Sequence, residues 1–327
     1  MILNTEAMRE ESVKLKKYFG IKNLMNKRQS AEKAKIIVIL GPTSSGKTEL
    51  SIDAAKKFKG EIISADSRQV YKELKIGTGK ITKKEMKGVP HHLLGAAGVN
   101  ENFTVQDFKE SAEEKIEEIL RKKNLPIIVG GTGFYIRAIV DGIEFAKIPP
   151  NQRLRKKLKN KDRKELFLIL KKMDEKGAKT IDRNNSRRLI RAIEIAKSLG
   201  KIPKVRKAPK YEVLQIGLDI KDGKLKEKIR KRINEWFKRG LIKEGEKLKK
   251  KINQERFDEL GLEYGLLGEF LRGEISREKL VEKMNIKTFQ YVKRQRTWFR
   301  RDKKIKWFKP DEKREVFGEI KKFLDSK

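Results

Sequence analysis

The sequence predicts an α/β fold: a parallel sheet with helices on both faces, a helical insertion, and a mostly helical C-terminal part. Three observations predict it. Short apolar runs alternate with helix-period text, the pattern of strand–helix–strand units whose strands lie parallel. A glycine-rich loop suited to phosphate joins the first such strand to the first such helix. A lysine-rich helical stretch with no convincing strand lies between Pro149-Pro150 and Ile202-Pro203.

In chain order, residues 1–34 read as a basic, helix-prone extension. It carries Glu6, Glu10, Glu11 and Glu32 and no long apolar stretch, so it fits neither a signal nor a transit peptide. Residues 35–148 form the first part of the core. A buried strand at Ile36–Leu40 meets the loop Gly41 to Lys47, and a helix runs from Thr48 to about Phe58. A second strand follows at Glu61–Ser64, then a helix over Thr104–Lys123. Pro126 introduces a third strand, Ile127–Val129, ending in Gly130-Gly131. The insertion occupies 149–205, and 206–327 completes the core with a basic helical end. There Val213, Gln215, Gly217 and Asp219 alternate with Leu214, Ile216, Leu218 and Ile220, which predicts a returning strand over Tyr211–Ile220. A short strand is expected at Ile305–Phe308.

Composition narrows the partners. The 327 residues hold 83 Lys and Arg against 46 Asp and Glu, a net charge of +37. A lysine-biased or thermophilic composition raises both signs together; an excess this one-sided favours a polyanion such as nucleic acid. With no cysteine, disulfides, zinc fingers and thiol nucleophiles are excluded. The apolar run Ile36–Leu40 is far too short to span a bilayer, and the chain is expected to be cytoplasmic.

Gly41-Pro42-Thr43-Ser44-Ser45-Gly46-Lys47-Thr48 fits G-x-x-x-x-G-K-[ST] in the strand-to-helix setting the motif needs. Its backbone N–H groups converge on phosphate oxygens at a positive helix end. Lys47 adds a point charge, and the Thr48 hydroxyl is placed to hold Mg²⁺. In a parallel sheet, loops after neighbouring strands share one edge, so Asp66 should face this loop. It can serve as general base, Mg²⁺ ligand or loop cap. The third strand ends Gly130-Gly131-Thr132-Gly133 with no acid, which sets aside NTP-hydrolysing motors and leaves small-molecule kinases open.

His91-His92, the only histidines, point different ways on a regular element and suit structural roles. Asp107 and Glu110 read as solvated charges on a helix. Ile286–Lys309 holds ten Lys and Arg and one acid, Asp302. On a helix Lys293, Arg296 and Arg300 share one face, read as a phosphate-backbone contact, with Val292, Trp298 and Phe299 on the other as core packing.

Seven strings together resemble the tRNA dimethylallyltransferase (tRNA isopentenyltransferase) family: GPTSSGKT (41–48), SADSRQVY (64–71), KIGTGK (75–80), GVPHHLL (88–94), VGGTGFYI (129–136), NSRRLIRAIE (185–194) and KRQRTWFR (293–300). The resemblance covers roughly 35–308 in order. It implies a P-loop kinase-like sheet and transfer of a dimethylallyl group from dimethylallyl diphosphate to N6 of the adenosine 3′ to the anticodon in tRNA. Pyrophosphate would be released, and ATP would not be consumed. Asp66 would be the general base, with Thr43, Lys47 and Thr48 on the pyrophosphate. Asp66, Ser67, Arg68, Gln69, Thr132, Arg155, Arg187, Arg188 and Arg191 would meet tRNA. Mg²⁺ is the implied cofactor, and the chain is expected to act as a monomer away from membranes.

The chain departs from the family pattern at three positions. Asp222 and Lys228 stand where two arginines usually flank Leu225, and Lys228 keeps charge without bidentate geometry. Asn185 stands where aspartate is usual. A small-molecule kinase, a transferase acting on free adenine nucleotides, and a non-catalytic RNA-binding protein are the rival readings. The first offers no reason for the charge, and the last none for Lys47, Thr48 and Asp66 together.

Overall fold

A computed structural model describes residues 33–326 of the chain, so the expected extension falls outside the described residues except at its end. Strand β1 (Lys35–Leu40) leads into α1 (Lys47–Lys57), then β2 (Gly60–Ala65), β3 (His91–His92), α2 (Val105–Arg121), β4 (Leu125–Gly130), α3 (Gly133–Val140) and β5 (Ile143–Glu144). The insertion is α4 (Gln152–Leu158), α5 (Arg163–Met173), α6 (Glu175–Ala178) and α7 (Ser186–Leu199), closed by β6 (Arg206–Lys207). Then come β7 (Glu212–Leu218), α8 (Asp222–Lys238), α9 (Leu241–Lys249) and α10 (Gln254–Glu259). The chain ends with α11 (Leu262–Leu271), α12 (Arg277–Phe299), β8 (Lys306–Phe308) and α13 (Lys313–Asp325).

Six strands form one sheet in the order β3-β2-β4-β1-β7-β8, every pair parallel. Strand β1 is central because both of its faces are apolar. Ile37 and Ile39 pack with Leu50 of α1 and Ile320 of α13. Ile36, Val38 and Leu40 pack on the other side with Phe108 of α2, Ile229 of α8 and Val292 of α12. Side chains alternate across a strand, so a strand covered on both faces reads as an unbroken apolar run.

The insertion has its own small core, in which Leu166, Leu170 and Leu189 are fully buried. Helix α7 begins on Asn185, whose side chain accepts from the Arg188 N–H at 3.1 Å. Asparagine caps a helix as well as aspartate does, so that departure costs the fold nothing. The insertion leaves and returns through the antiparallel pair β5–β6. Gly142, just before β5, is at φ +58°, and an added Cβ there would meet the Ala208 carbonyl oxygen, just after β6, at 2.1 Å.

Three sequence expectations differ from the structure. Strands β1 and β2 are not neighbours, because β4 lies between them; Asp66 and the phosphate loop still share the sheet's C-terminal edge. His91-His92 form an edge strand on β2, with no apolar run to announce it. Asp107 is not merely solvated: it accepts from the Thr104 N–H at 2.7 Å, and the Thr104 hydroxyl accepts from its own N–H at 3.3 Å, a capping box that starts α2.

The edge strand is held by charge. Glu61 of β2 is buried and meets His92 Nε2 at 2.7 Å, Asn124 Nδ2 at 2.8 Å and Lys122 Nζ at 3.6 Å. Burial alone would push the Glu61 carboxyl up, but hydrogen bonds from Asn124 and His92, with the charge of Lys122, outweigh it and hold it below its ordinary 4.5. A carboxyl depressed in this way stabilises the fold above its ordinary value, and the contribution is lost as pH falls through the folded-state value. Thermal melts from about pH 3 to 6 should therefore rise more steeply for the wild type than for Glu61→Gln. Superimposable profiles would show that the ion cluster contributes nothing.

Candidate active site

Where β1 ends, Gly41 turns the chain at φ +142°, and a Cβ there would lie 2.2 Å from the Leu218 carbonyl oxygen. Only glycine lets the loop leave the sheet this close to β7. The loop then wraps the start of α1. Lys47 folds back, its Nζ donating to the Pro42 carbonyl and lying 3.4 Å from Ser45 Oγ. Burial, and then the neighbouring Arg232 guanidinium, push the Lys47 ammonium down to about 7, with Asp66 opposing. The Ser44 hydroxyl is buried without a partner. Thr48 is exposed at the loop's end.

Two long side chains from later in the sequence reach this loop. Arg232, on α8, donates from Nη1 to Thr43 Oγ1 at 3.0 Å and from Nη2 to the Thr78 carbonyl at 3.1 Å, with its guanidinium 4.9 Å from the Trp236 ring centre. Gln295, on α12, accepts from the Thr43 N–H at 3.0 Å and donates to the Gly131 carbonyl at 2.9 Å. Sequence reading missed both. The available signals were Arg232 standing one helical turn after Lys228, and a glutamine in the buried stripe Thr288, Val292, Gln295, Phe299.

Asp66 faces the loop from the end of β2. Its Oδ1 accepts from the N–H groups of Arg68 at 2.8 Å and Gln69 at 3.2 Å, an Asx turn. Among the described residues nothing donates to Oδ2. The cap and the base are thus compatible, since one oxygen holds the loop and the other stays free. Thr132 braces this loop by accepting from the Ser67 N–H at 3.0 Å. Gln69 is tied to the Thr78 carbonyl at 3.2 Å. Phosphate loop, Asp66 to Gln69 and Lys228 line one crevice of about 890 Å³ together with Arg232, Glu263, Tyr291, Arg294 and Gln295. Burial pushes the Glu263 carboxyl up.

The expected RNA-facing arginines divide into two groups. Arg155 (2.7 Å) and Arg191 (3.2 Å) both grip buried Glu194 inside the insertion, and Arg191 also donates to the Ile148 carbonyl. Arg296 does not share an open face with Lys293 and Arg300. It turns inward to Asp219 at 2.7 Å and to Asp222, and is 12% exposed. That ion pair also explains why Asp222 is no substitute for a phosphate ligand. Arg187, Arg188, Lys293 and Arg300 are exposed. Arg187 pairs with Glu259 at 2.8 Å and Arg188 with Asp182 at 3.3 Å, on the surface. Trp298 is half-buried against Gly133.

Comparison with known proteins places this geometry. The family model described as IPP transferase matches residues 69–302. A tRNA dimethylallyltransferase of Caldanaerobacter subterraneus subsp. tengcongensis is 41% identical over 290 residues, covering 85% of this chain and 92% of that protein. One from Pediococcus pentosaceus is 38% identical over 304 residues, covering 90% and 98%. The crystal structure of the full-length tRNA isopentenylpyrophosphate transferase from Bacillus halodurans matches with a TM-score of 0.70 at 34% identity, over 90% of this chain and 97% of that one. A eukaryotic dimethylallyltransferase acting on tRNA matches at 0.71 and 30% identity, over 81% and 70%.

Arg232 is the testable element of this geometry. A charge-assisted hydrogen bond to phosphate is worth about 1.5–3 kcal/mol, so Arg232→Gln should weaken inorganic pyrophosphate binding roughly 10- to 100-fold by calorimetric titration. An unchanged dissociation constant would remove Arg232 from the anion site.

Proposed function

This chain belongs to the IPP transferase family, and from that premise we propose how its crevice transfers a prenyl group to tRNA. The donor is dimethylallyl diphosphate, and the acceptor is N6 of the adenosine 3′ to the anticodon. One observation carries the reading: a phosphate loop flanked by the half-buried Lys47 and Arg232 shares a crevice with a carboxylate oxygen, Asp66 Oδ2, that no described residue occupies.

The chemistry follows from the charges. The N6 lone pair is delocalised into the purine and attacks poorly while both its protons remain. The new N6–C1 bond forms as the C1–O bond breaks; its electron pair leaves with pyrophosphate, and the N6 proton passes to Asp66 Oδ2. Proton removal of this kind contributes about 10²–10⁴ in rate. Negative charge develops on the departing oxygens, and Lys47, Arg232, Lys228 and the phosphate loop line the crevice that would receive it. The Asx turn fixes the Asp66 carboxylate before substrate arrives, so no reorganisation is spent during reaction.

Mg²⁺ fits this donor set. The described residues contain no group of three or more His, Cys, Asp or Glu able to hold a metal. The chain therefore offers no cage of its own, but it presents a hard oxygen, the Thr48 hydroxyl, at the end of the phosphate loop, which suits an ion held largely by substrate oxygens and water. When bound, it neutralises charge on the leaving group. We assign the tRNA rim to Ser67, Arg68, Gln69, Thr132, Arg187, Arg188, Lys293 and Arg300. Arg155, Arg191 and Arg296 support that rim from beneath.

Unmodified tRNA, dimethylallyl diphosphate and Mg²⁺, with the nucleosides followed by mass spectrometry, should give N6-dimethylallyl-adenosine without ATP. Asp66→Asn should lose at least about 100-fold in turnover while its pyrophosphate affinity stays within a few-fold. ADP formed from ATP in place of a prenylated nucleoside would favour the kinase reading, and an active Asp66→Asn variant would remove Asp66 as the base.

A further inference from the structure

We infer that the Tyr291 ring, backed by the Arg294 guanidinium, is the surface on which the acceptor adenine stacks; this rests on the reading above, in which an adenine enters the crevice. A base taken out of an RNA loop gives up its stacking, and a protein site must return that with a planar face. Among the described residues three aromatic rings line the crevice, His91, Trp236 and Tyr291, and His91 is held on the edge strand with its Nδ1 2.8 Å from the Val89 carbonyl oxygen. Trp236 is 4% exposed and its ring is covered by Arg232. Tyr291 is 38% exposed, with the Arg294 guanidinium 5.8 Å from its ring centre.

The position suits the role. Tyr291 lies one turn before Gln295 on the same face of α12, and Gln295 is fastened to the Thr43 N–H and the Gly131 carbonyl. One turn is about 6 Å along the axis for four residues, so the ring stands a short step from the phosphate cradle, where a reacting carbon would lie between them. Tyr291 and Asp66, the carboxylate that takes the N6 proton, line the same crevice.

The rival occupant of the ring is the dimethylallyl group, whose carbon becomes cationic. Arg294 on the ring, with Arg68 nearby, opposes a developing cation by like-charge repulsion. Neither repels a neutral purine, which stacks on tyrosine and guanidinium planes alike. Asp66 and Glu263 line the same crevice, so it is the guanidinium against the ring, and not the net charge of the crevice, that favours the base there.

The test uses the full chain, dimethylallyl diphosphate, unmodified tRNA, and the same tRNA carrying 2-aminopurine at the acceptor position as a fluorescent binding probe. Tyr291→Phe should keep the tRNA KM within about two-fold and still quench the probe. Tyr291→Leu should raise the tRNA KM roughly 10-fold or more, as loss of one base–aromatic stack requires, and leave the probe bright, with the dimethylallyl diphosphate KM unchanged. If Tyr291→Leu quenches and turns over like the wild type, or alters only the diphosphate KM, the inference is wrong. Loss of quenching in Tyr291→Phe would assign the effect to the hydroxyl and overturn it equally. A wild type that quenches the probe but makes no prenylated product would count against the reaction assigned above, leaving the stacking surface standing.

Discussion

The side-chain amide of Gln295 accepts from the phosphate loop at the Thr43 N–H and donates to the Gly131 carbonyl after β4. It is 6% exposed and comes from a helix more than 250 residues along the chain from the loop it holds. A buried amide bonded at both ends is stable; the same amide without one partner leaves an orphaned polar group at a cost of about 1–3 kcal/mol. Helix α12 therefore cannot shift register without unmaking the loop. Through this bond the approach of β1, β4 and α12 becomes one geometry, and everything that α12 presents to the crevice is measured from it.

What the bond holds together is an electrostatic imbalance. Lys47 and Arg232 are both desolvated, and the Arg232 charge adds to burial in lowering the Lys47 ammonium to about 7. An ordinary surface lysine sits near 10.5. The resting crevice carries positive charge at a price in stability, and an arriving diphosphate relieves it. Asp66 sits close enough to offset part of that strain, yet its orientation comes from backbone N–H groups and not from the cations. The base is thereby kept from collapsing onto the lysine it faces, and the same carboxylate can serve a nucleophile on the opposite side.

How much of this could be read from residues alone depended on how local each signal was. The loop 41–48 and the strands at Ile36 and Ile127 are written within a few residues, because each satisfies its own hydrogen bonds or buries its own faces; the cap that starts α2 is as local, yet Asp107 reads from sequence only as a solvated charge. The strand order was not local. Nothing near Glu61 says that β4 will slide between β1 and β2. The His91-His92 strand is two residues long and owes its place to a buried glutamate thirty positions earlier. Arg232 and Gln295 were hidden for a related reason: each acts at the far end of a long side chain, on a partner that only the fold supplies.

The arginines show the limit most sharply. Periodicity placed Lys293, Arg296 and Arg300 on one helix face, and on an isolated helix they would share it. What separates them is their reach to Asp219, just after β7, which lies next to α12 only after the sheet has formed: it draws Arg296 inward at 2.7 Å, while Arg300 meets it only at 3.7 Å and stays 69% exposed. The same sorting occurs in the insertion, where buried Glu194 takes Arg155 and Arg191 and leaves Arg187 and Arg188 outward. A net charge of +37 therefore overstates the charge offered to RNA at any one surface, since part of it is consumed in building the scaffold. The cations left exposed are those that no fully buried acid holds, and they are the ones whose loss should be felt by a polyanion and not by the fold.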